Sequence, residues 1–159
     1  MRVLLVDDHE LIWNGTRRLL ERVAKDFDWA DRLQFTAVRD LESACKLSES
    51  VAPGDPPFAL ILLDYHLPGV EGLEALRQIL AHFEGATVCM VSAESSGTHI
   101  RAVLDGGAAG FIPKSYSEAD MSSALRLVLS QKKSMPRPSS CSARRSCAAA
   151  TPTKCAAKT

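Results

Sequence analysis

No uninterrupted apolar run in this sequence approaches the roughly 20 residues that a membrane-spanning helix needs. The apolar N-terminus, Met1-Arg2-Val3-Leu4-Leu5-Val6, is cut off by Asp7-Asp8. It is too short for a signal peptide and carries acids on its far side. A soluble cytoplasmic protein is therefore expected, with no membrane partner. Cysteine is sparse, with five in 159 residues. Cys141, Cys147 and Cys155 have no CxxC spacing and no neighbouring histidine, which excludes the usual zinc patterns. A disulfide framework is not expected in a cytosolic chain. Cys45 and Cys89 fall in apolar-periodic segments and read as small buried residues.

Residues 131–159 lack any acid, and they lack Leu, Ile, Val, Phe, Trp and Tyr. Without such side chains a segment cannot build a core. The formal net charge of zero hides this division. Residues 1–130 hold 12 Lys/Arg and 19 Asp/Glu, a net of −7, whereas residues 131–159 hold 7 Lys/Arg and no acid, a net of +7. A folded domain over 1–130 and a disordered basic tail over 131–159 are expected. The Ser/Pro/Ala/Arg/Cys mixture of the tail matches an out-of-frame reading of GC-rich coding sequence. The rival is a natural basic tail, able to make weak, salt-sensitive contact with nucleic acid.

Hydrophobic residues make up 46% of the chain, enough for one ordinary domain with a sizeable core. Arg2–Val6 is a short apolar run with a strand's character. Leu11, Ile12, Leu19, Leu20 and Val23 recur at helical spacing over residues 10–25. Gln34–Val38 reads as a second strand. Asp40 is placed to cap a helix running to about Leu47. Val51-Ala-Pro-Gly-Asp-Pro-Pro57 is a loop, because its prolines and glycine break regular structure. Phe58–Leu63 is continuously apolar, the mark of a strand covered on both faces. A helix over 72–83 follows, with Leu73, Leu76, Ile79, Leu80 and Phe83 on one side. Ala86–Val91 is a fourth strand. A helix over 96–105 stops at Gly106-Gly107. Ala109–Ile112 is a fifth strand. A helix over 117–130, capped by Ser117, turns Leu125, Val128 and Leu129 inward.

Strands alternating with helices at this spacing predict an α/β fold, a parallel sheet with helices on both faces. In such folds ligands bind beyond the carboxyl ends of the strands. Strand one ends at Asp7-Asp8, strand three at Asp64 and strand four at Ser92. Strand five runs into Pro113-Lys114. Three carboxylates, a hydroxyl and an ammonium thus converge on one sheet edge. Carboxylates brought together repel unless a cation neutralises them. Hard oxygen donors on a half-open edge suit Mg2+. A carboxylate can accept a phosphoryl group, and phosphoryl transfer requires positive charge around the moving oxygens. Taken singly, each residue has a plainer reading: a turn acid, a solvated lysine, a serine cap. Agreement at four strand ends carries the stronger one.

Several segments resemble bacterial response-regulator receiver domains, in particular those of the NarL/LuxR type. They are Val6-Asp7-Asp8-His9 with Leu11-Ile12, then Leu62-Leu63-Asp64-Tyr65-His66-Leu67-Pro68-Gly69, then Val91-Ser92-Ala93, and Gly107-Ala108-Ala109-Gly110-Phe111-Ile112-Pro113-Lys114-Ser115. The match spans roughly residues 1–130. The resemblance implies a flavodoxin-like five-stranded sheet of order 2-1-3-4-5. It implies Asp64 as phosphoacceptor, with Ser92 and Lys114 assisting. It implies Mg2+ held by Asp7, Asp8, Asp64 and the backbone carbonyl of His66, with Asp8 favoured over Asp7 as direct ligand. Ser92 and Phe111 stand at the family's switch positions, and Pro113 is expected in cis. Phe111 has no hydroxyl, and its plainer reading is a core aromatic. Tyr65 stands where the family often has an apolar residue, and the loop over 51–57 reads as a surface insertion.

The partners implied are a sensor histidine kinase and a homodimer mate. No helix-turn-helix segment follows residue 130, so direct DNA binding is not expected of the chain as it stands. Two function classes compete with the phosphorylation switch. One is a pseudo-receiver that only binds partners; the other is a true hydrolase. Joint presence of Asp7, Asp8, Asp64, Ser92 and Lys114 disfavours the first. The absence of a cap domain disfavours the second. The receiver would catalyse only its own phosphoryl transfer and dephosphorylation.

Overall fold

The computed structural model describes residues 1–27, 30–52 and 55–133. Its elements are β1 (Arg2–Val6), α1 (Glu10–Ala24), β2 (Gln34–Val38), α2 (Leu41–Glu49), β3 (Phe58–Asp64), α3 (Gly72–His82), β4 (Thr87–Ser92), α4 (Gly97–Asp105), β5 (Gly110–Pro113) and α5 (Glu118–Lys133). Two short 3-10 turns, Lys25–Phe27 and Ala30–Arg32, connect α1 to β2. The strands form one parallel sheet in the order β2-β1-β3-β4-β5. The expected flavodoxin-like order is thus present. Readings for residues 134–159, including the tail and its three cysteines, lie outside the described residues. Among the described residues no helix is long and apolar enough to cross a membrane.

The two faces of the sheet can be read from alternate side chains. Val3, Leu5, Leu60, Leu62, Cys89 and Val91 point toward α1 and α5, where they meet Leu19, Leu20, Val23, Leu125, Val128 and Leu129. Leu4, Val6, Ile61, Leu63, Val88 and Met90 point the other way, against Ala44 of α2, Ala75, Leu76 and Ile79 of α3 and Val103 of α4. Strands buried on both faces must be apolar at every position, which is why β3 shows no alternation. Each fully buried Leu or Ile contributes about 1.5–3 kcal/mol. Phe58 joins the α2/α3/α4 side, although it is two residues from Leu60 on the other side. An irregularity between Arg2 and Val3 moves their β3 partners from Phe58 to Leu60 and resets the alternation.

Local signals account for three helix boundaries. Asp40 caps α2 by accepting a 2.7 Å hydrogen bond from the Ser43 N–H. Ser117 accepts one of 3.2 Å from the Asp120 N–H and so caps α5. Gly107, just past α4, has φ of +100°, a conformation open to glycine at no cost.

Four expectations need correction. Leu11, grouped with the helically spaced apolar residues of this segment, is 95% exposed. The inward face of α1 begins at Thr16 and continues through Leu19, Leu20 and Val23. Cys45 is only half-buried, whereas burial in the core pushes the Cys89 thiol up to about 12. Pro113 is in trans, like every peptide bond of the described residues. It continues β5 opposite Ser92 in the extended ladder. Finally, α5 continues to Lys133, three residues past the expected boundary.

Candidate functional site

Parallel pairing brings the strand ends into line. Val6 lies opposite Val38 and Leu63, Asp64 opposite Val91, and Ser92 opposite Pro113. The Asp7 N–H extends the ladder by donating to the Val38 carbonyl at 3.0 Å. The Lys114 N–H donates to the Ser92 carbonyl at 2.7 Å. Asp7, Asp64, Ser92 and Lys114 are therefore placed by backbone hydrogen bonds of the sheet itself. The sheet brings Asp7, Asp64 and Lys114 into contact and sets Ser92 on the same edge.

Asp7 and Asp64 are each 1% exposed, and Ser92 is fully buried. Two carboxylates so deep need a cation, since an unpaired buried charge is costly. Lys114 supplies it. Its ammonium lies 2.7 Å from Asp64 Oδ2 and 3.0 Å from Asp7 Oδ2. Burial lowers the Lys114 pKa, but hydrogen bonds to Asp64 and then Asp7 outweigh that, and the net shift is upward. The ammonium therefore stays charged at neutral pH.

The opposite oxygens face another way. Asp64 Oδ1 accepts the His66 N–H at 3.2 Å, which curls the loop after β3 back over the site. Asp7 Oδ1 accepts the His9 N–H at 2.8 Å, and the His9 Nδ1 lies 3.2 Å from the same oxygen. Asp8 is about one-third exposed, and its Oδ1 lies 2.7 Å from His9 Nδ1. Despite that distance, Asp8 Oδ1 is buried and has no hydrogen-bond partner. Ligand atoms of Asp7, Asp8, His9 and Asp64 all lie within 4.8 Å of one another. Three carboxylates with one ammonium and an orphaned buried oxygen fit a divalent cation.

Two contributors were not singled out from sequence. The His9 imidazole turns onto the acidic pair rather than capping α1. Its presence in Val6-Asp7-Asp8-His9 was the available signal. The Trp13 indole N–H donates to the Asp7 carbonyl at 2.9 Å and pins α1 to the acidic turn. No local pattern announces that contact. Ser92 Oγ accepts the Glu94 N–H at 3.1 Å. Phe111 is half-buried and packs on the α2/α3/α4 side of the sheet. The Tyr65 ring stands edge-on to His99, with centroids 4.1 Å apart. A Cβ on Gly72 would fall 2.5 Å from that ring, so glycine is what lets α3 begin there. Burial, with Glu71 and Glu94 nearby, pushes the Tyr65 phenol up.

The model of the response regulator receiver domain family matches residues 3–126. The chain belongs to this family. It is 33% identical over 129 residues to the response regulator GacA of Pseudomonas viridiflava, covering 80% of this chain and 55% of that protein. It is 30% identical to the response regulator UvrY of Escherichia coli (strain K12), covering 82% of this chain and 55% of that protein. The chain thus spans about half the length of these curated relatives. Among solved structures, a LuxR family DNA-binding response regulator from Silicibacter pomeroyi superposes with a TM-score of 0.65 at 30% identity, covering 82% of this chain and 93% of that one. The receiver domain is a two-component signalling module rather than a conventional enzyme.

Proposed function

We propose that this receiver is a phosphorylation-dependent switch in which Asp64 accepts a phosphoryl group from a phosphohistidine of a sensor histidine kinase. The observation that carries it is the shared ammonium: Lys114 holds Asp64 Oδ2 at 2.7 Å inside a buried acidic site. A P–O bond to the Asp64 carboxylate forms as the donor's P–N bond breaks, and the donor imidazole takes up a proton. Positioning and charge, rather than covalent chemistry by other groups, are what such a transfer asks of the protein. Lys114 follows the negative charge from the carboxylate to the phosphoryl oxygens. The Ser92 hydroxyl donates a hydrogen bond to one of them. Asp7, Asp8, Asp64 and the His66 carbonyl would hold Mg2+, which supplies further charge neutralisation at those oxygens when bound.

Drawing Ser92 toward the new oxygens frees space that Phe111 fills, which biases the surface formed by α4, β5 and α5. We place the protein in the cytoplasm, where such kinases present their phosphohistidine. The test is intact mass after treatment with acetyl phosphate and Mg2+. Wild type gains the mass of one phosphoryl group and Asp64→Asn gains none. Equal incorporation in both would sink the assignment.

A further inference from the structure

The acidic site has two sides, and different groups face them. Lys114 reaches only the Oδ2 atoms of Asp7 and Asp64. The other side is formed by Asp7 Oδ1 and Asp8 Oδ1, and the group already turned into it is an imidazole. His9 Nδ1 sits 3.2 Å from Asp7 Oδ1 and 2.7 Å from Asp8 Oδ1. The ligand atoms of Asp7, Asp8 and His9 thus lie within 4.8 Å of one another and of Asp64. His9 occupies the N-cap of α1, yet its side chain makes no capping hydrogen bond. Its backbone N–H is fixed on Asp7 Oδ1 at 2.8 Å, so the ring pivots from an anchored position. The ring itself is 61% exposed.

We infer that His9 is a ligand of the divalent cation in this site, through Nδ1, and that it sets which cation the site prefers. An all-oxygen site suits Mg2+ and Mn2+, whereas an added imidazole favours later first-row ions such as Co2+. Mg2+ gains little from a nitrogen donor and keeps water in that position. The inference rests on the metal-site reading proposed above. It goes beyond that reading in the identity of a ligand and in the order of affinities.

Calorimetric titration of the full chain with Mg2+, Mn2+ and Co2+ separates the two, using wild type, His9→Ala, His9→Gln and Asp8→Asn. Wild type binds Co2+ more tightly than Mg2+, and His9→Ala weakens Co2+ by about tenfold or more while leaving Mg2+ within about twofold. His9→Gln, which keeps a polar side chain without the ring nitrogen, follows His9→Ala for Co2+. The visible absorption of bound Co2+ changes between wild type and His9→Ala, as loss of a nitrogen donor requires. Unchanged Co2+ affinity in His9→Ala, or an equal loss for Mg2+ and Co2+, overturns the ligand role. Asp8→Asn weakens all three ions. If it weakens none, the metal site itself is wrongly placed, and the inference falls with it.

Discussion

The interior and the rim of the acidic site treat the same chemical group in opposite ways. Asp7 and Asp64 are sealed at 1% exposure and share the Lys114 ammonium. Asp8, one residue from Asp7 along the chain, is one-third exposed and leaves a buried oxygen without a hydrogen bond. The interior carboxylates share one ammonium supplied by the fold. The rim carboxylate has the His9 ring nitrogen 2.7 Å away and no ammonium beside it.

The largest way to break this contrast is to remove the interior cation. Lys114→Met leaves two buried carboxylates facing each other and lowers stability by about 3–5 kcal/mol, the cost of breaking a buried pair from one side. Urea unfolding without divalent cations measures it. Adding Asp7→Asn to Lys114→Met recovers part of the loss, because one of the stranded charges is gone. A Lys114→Met protein as stable as wild type would show that Asp7 and Asp64 do not depend on that ammonium.

A carboxylate outside the site sharpens the comparison. Hydrogen bonds from Ser43, first its backbone N–H and then its side chain, hold the Asp40 carboxyl below the usual aspartate range. Asp40→Ala removes the cap of α2 and costs about 1 kcal/mol at neutral pH. The folded pKa is the lower one, so the charged cap's contribution is fully present above the unfolded pKa of about 3.9. It is lost as pH falls through the folded value. Chemical denaturation of wild type and Asp40→Ala at neutral and at strongly acidic pH should show the gap narrowing. A gap that widened on acidification would contradict the capping role.

The smallest effect, and the one of opposite sign, belongs to the rim. Asp8→Asn relieves like-charge repulsion and raises stability by less than about 1 kcal/mol when no divalent cation is present. The gain disappears or reverses when Mg2+ is added, since wild type then binds a ligand the variant has lost. Thermal unfolding with and without Mg2+ reads the crossing. Identical Mg2+ responses in the two proteins would remove Asp8 from the metal site.

Much of this molecule was legible in its sequence. The unbroken apolar run Phe58–Leu63 announced a strand covered on both faces, and five strands alternating with helices implied a parallel sheet. A parallel sheet puts every strand's carboxyl end on one edge, so Asp7, Asp64, Ser92 and Lys114 could be brought together on paper. Asp40 and Ser117 were readable as caps because a cap acts within three residues of itself.

What the sequence left open depends on contacts between elements. The exposure of Leu11 depends on which face of α1 meets the sheet. The reset of alternation near Phe58 depends on β1, which lies more than fifty residues earlier in the chain. The division of labour among the carboxylate oxygens was equally out of reach. Residue order places three acids near one lysine, but only the packed sheet turns the Oδ2 atoms of Asp7 and Asp64 to Lys114. Only the packed α1 turns His9 toward Asp7 and Asp8 on the other side. Element type and strand-end chemistry are local and periodic properties, and a sequence by itself determines them. Which oxygen meets which cation is settled by long-range geometry, because ångström distances between side chains from four strands exist only after the sheet has formed.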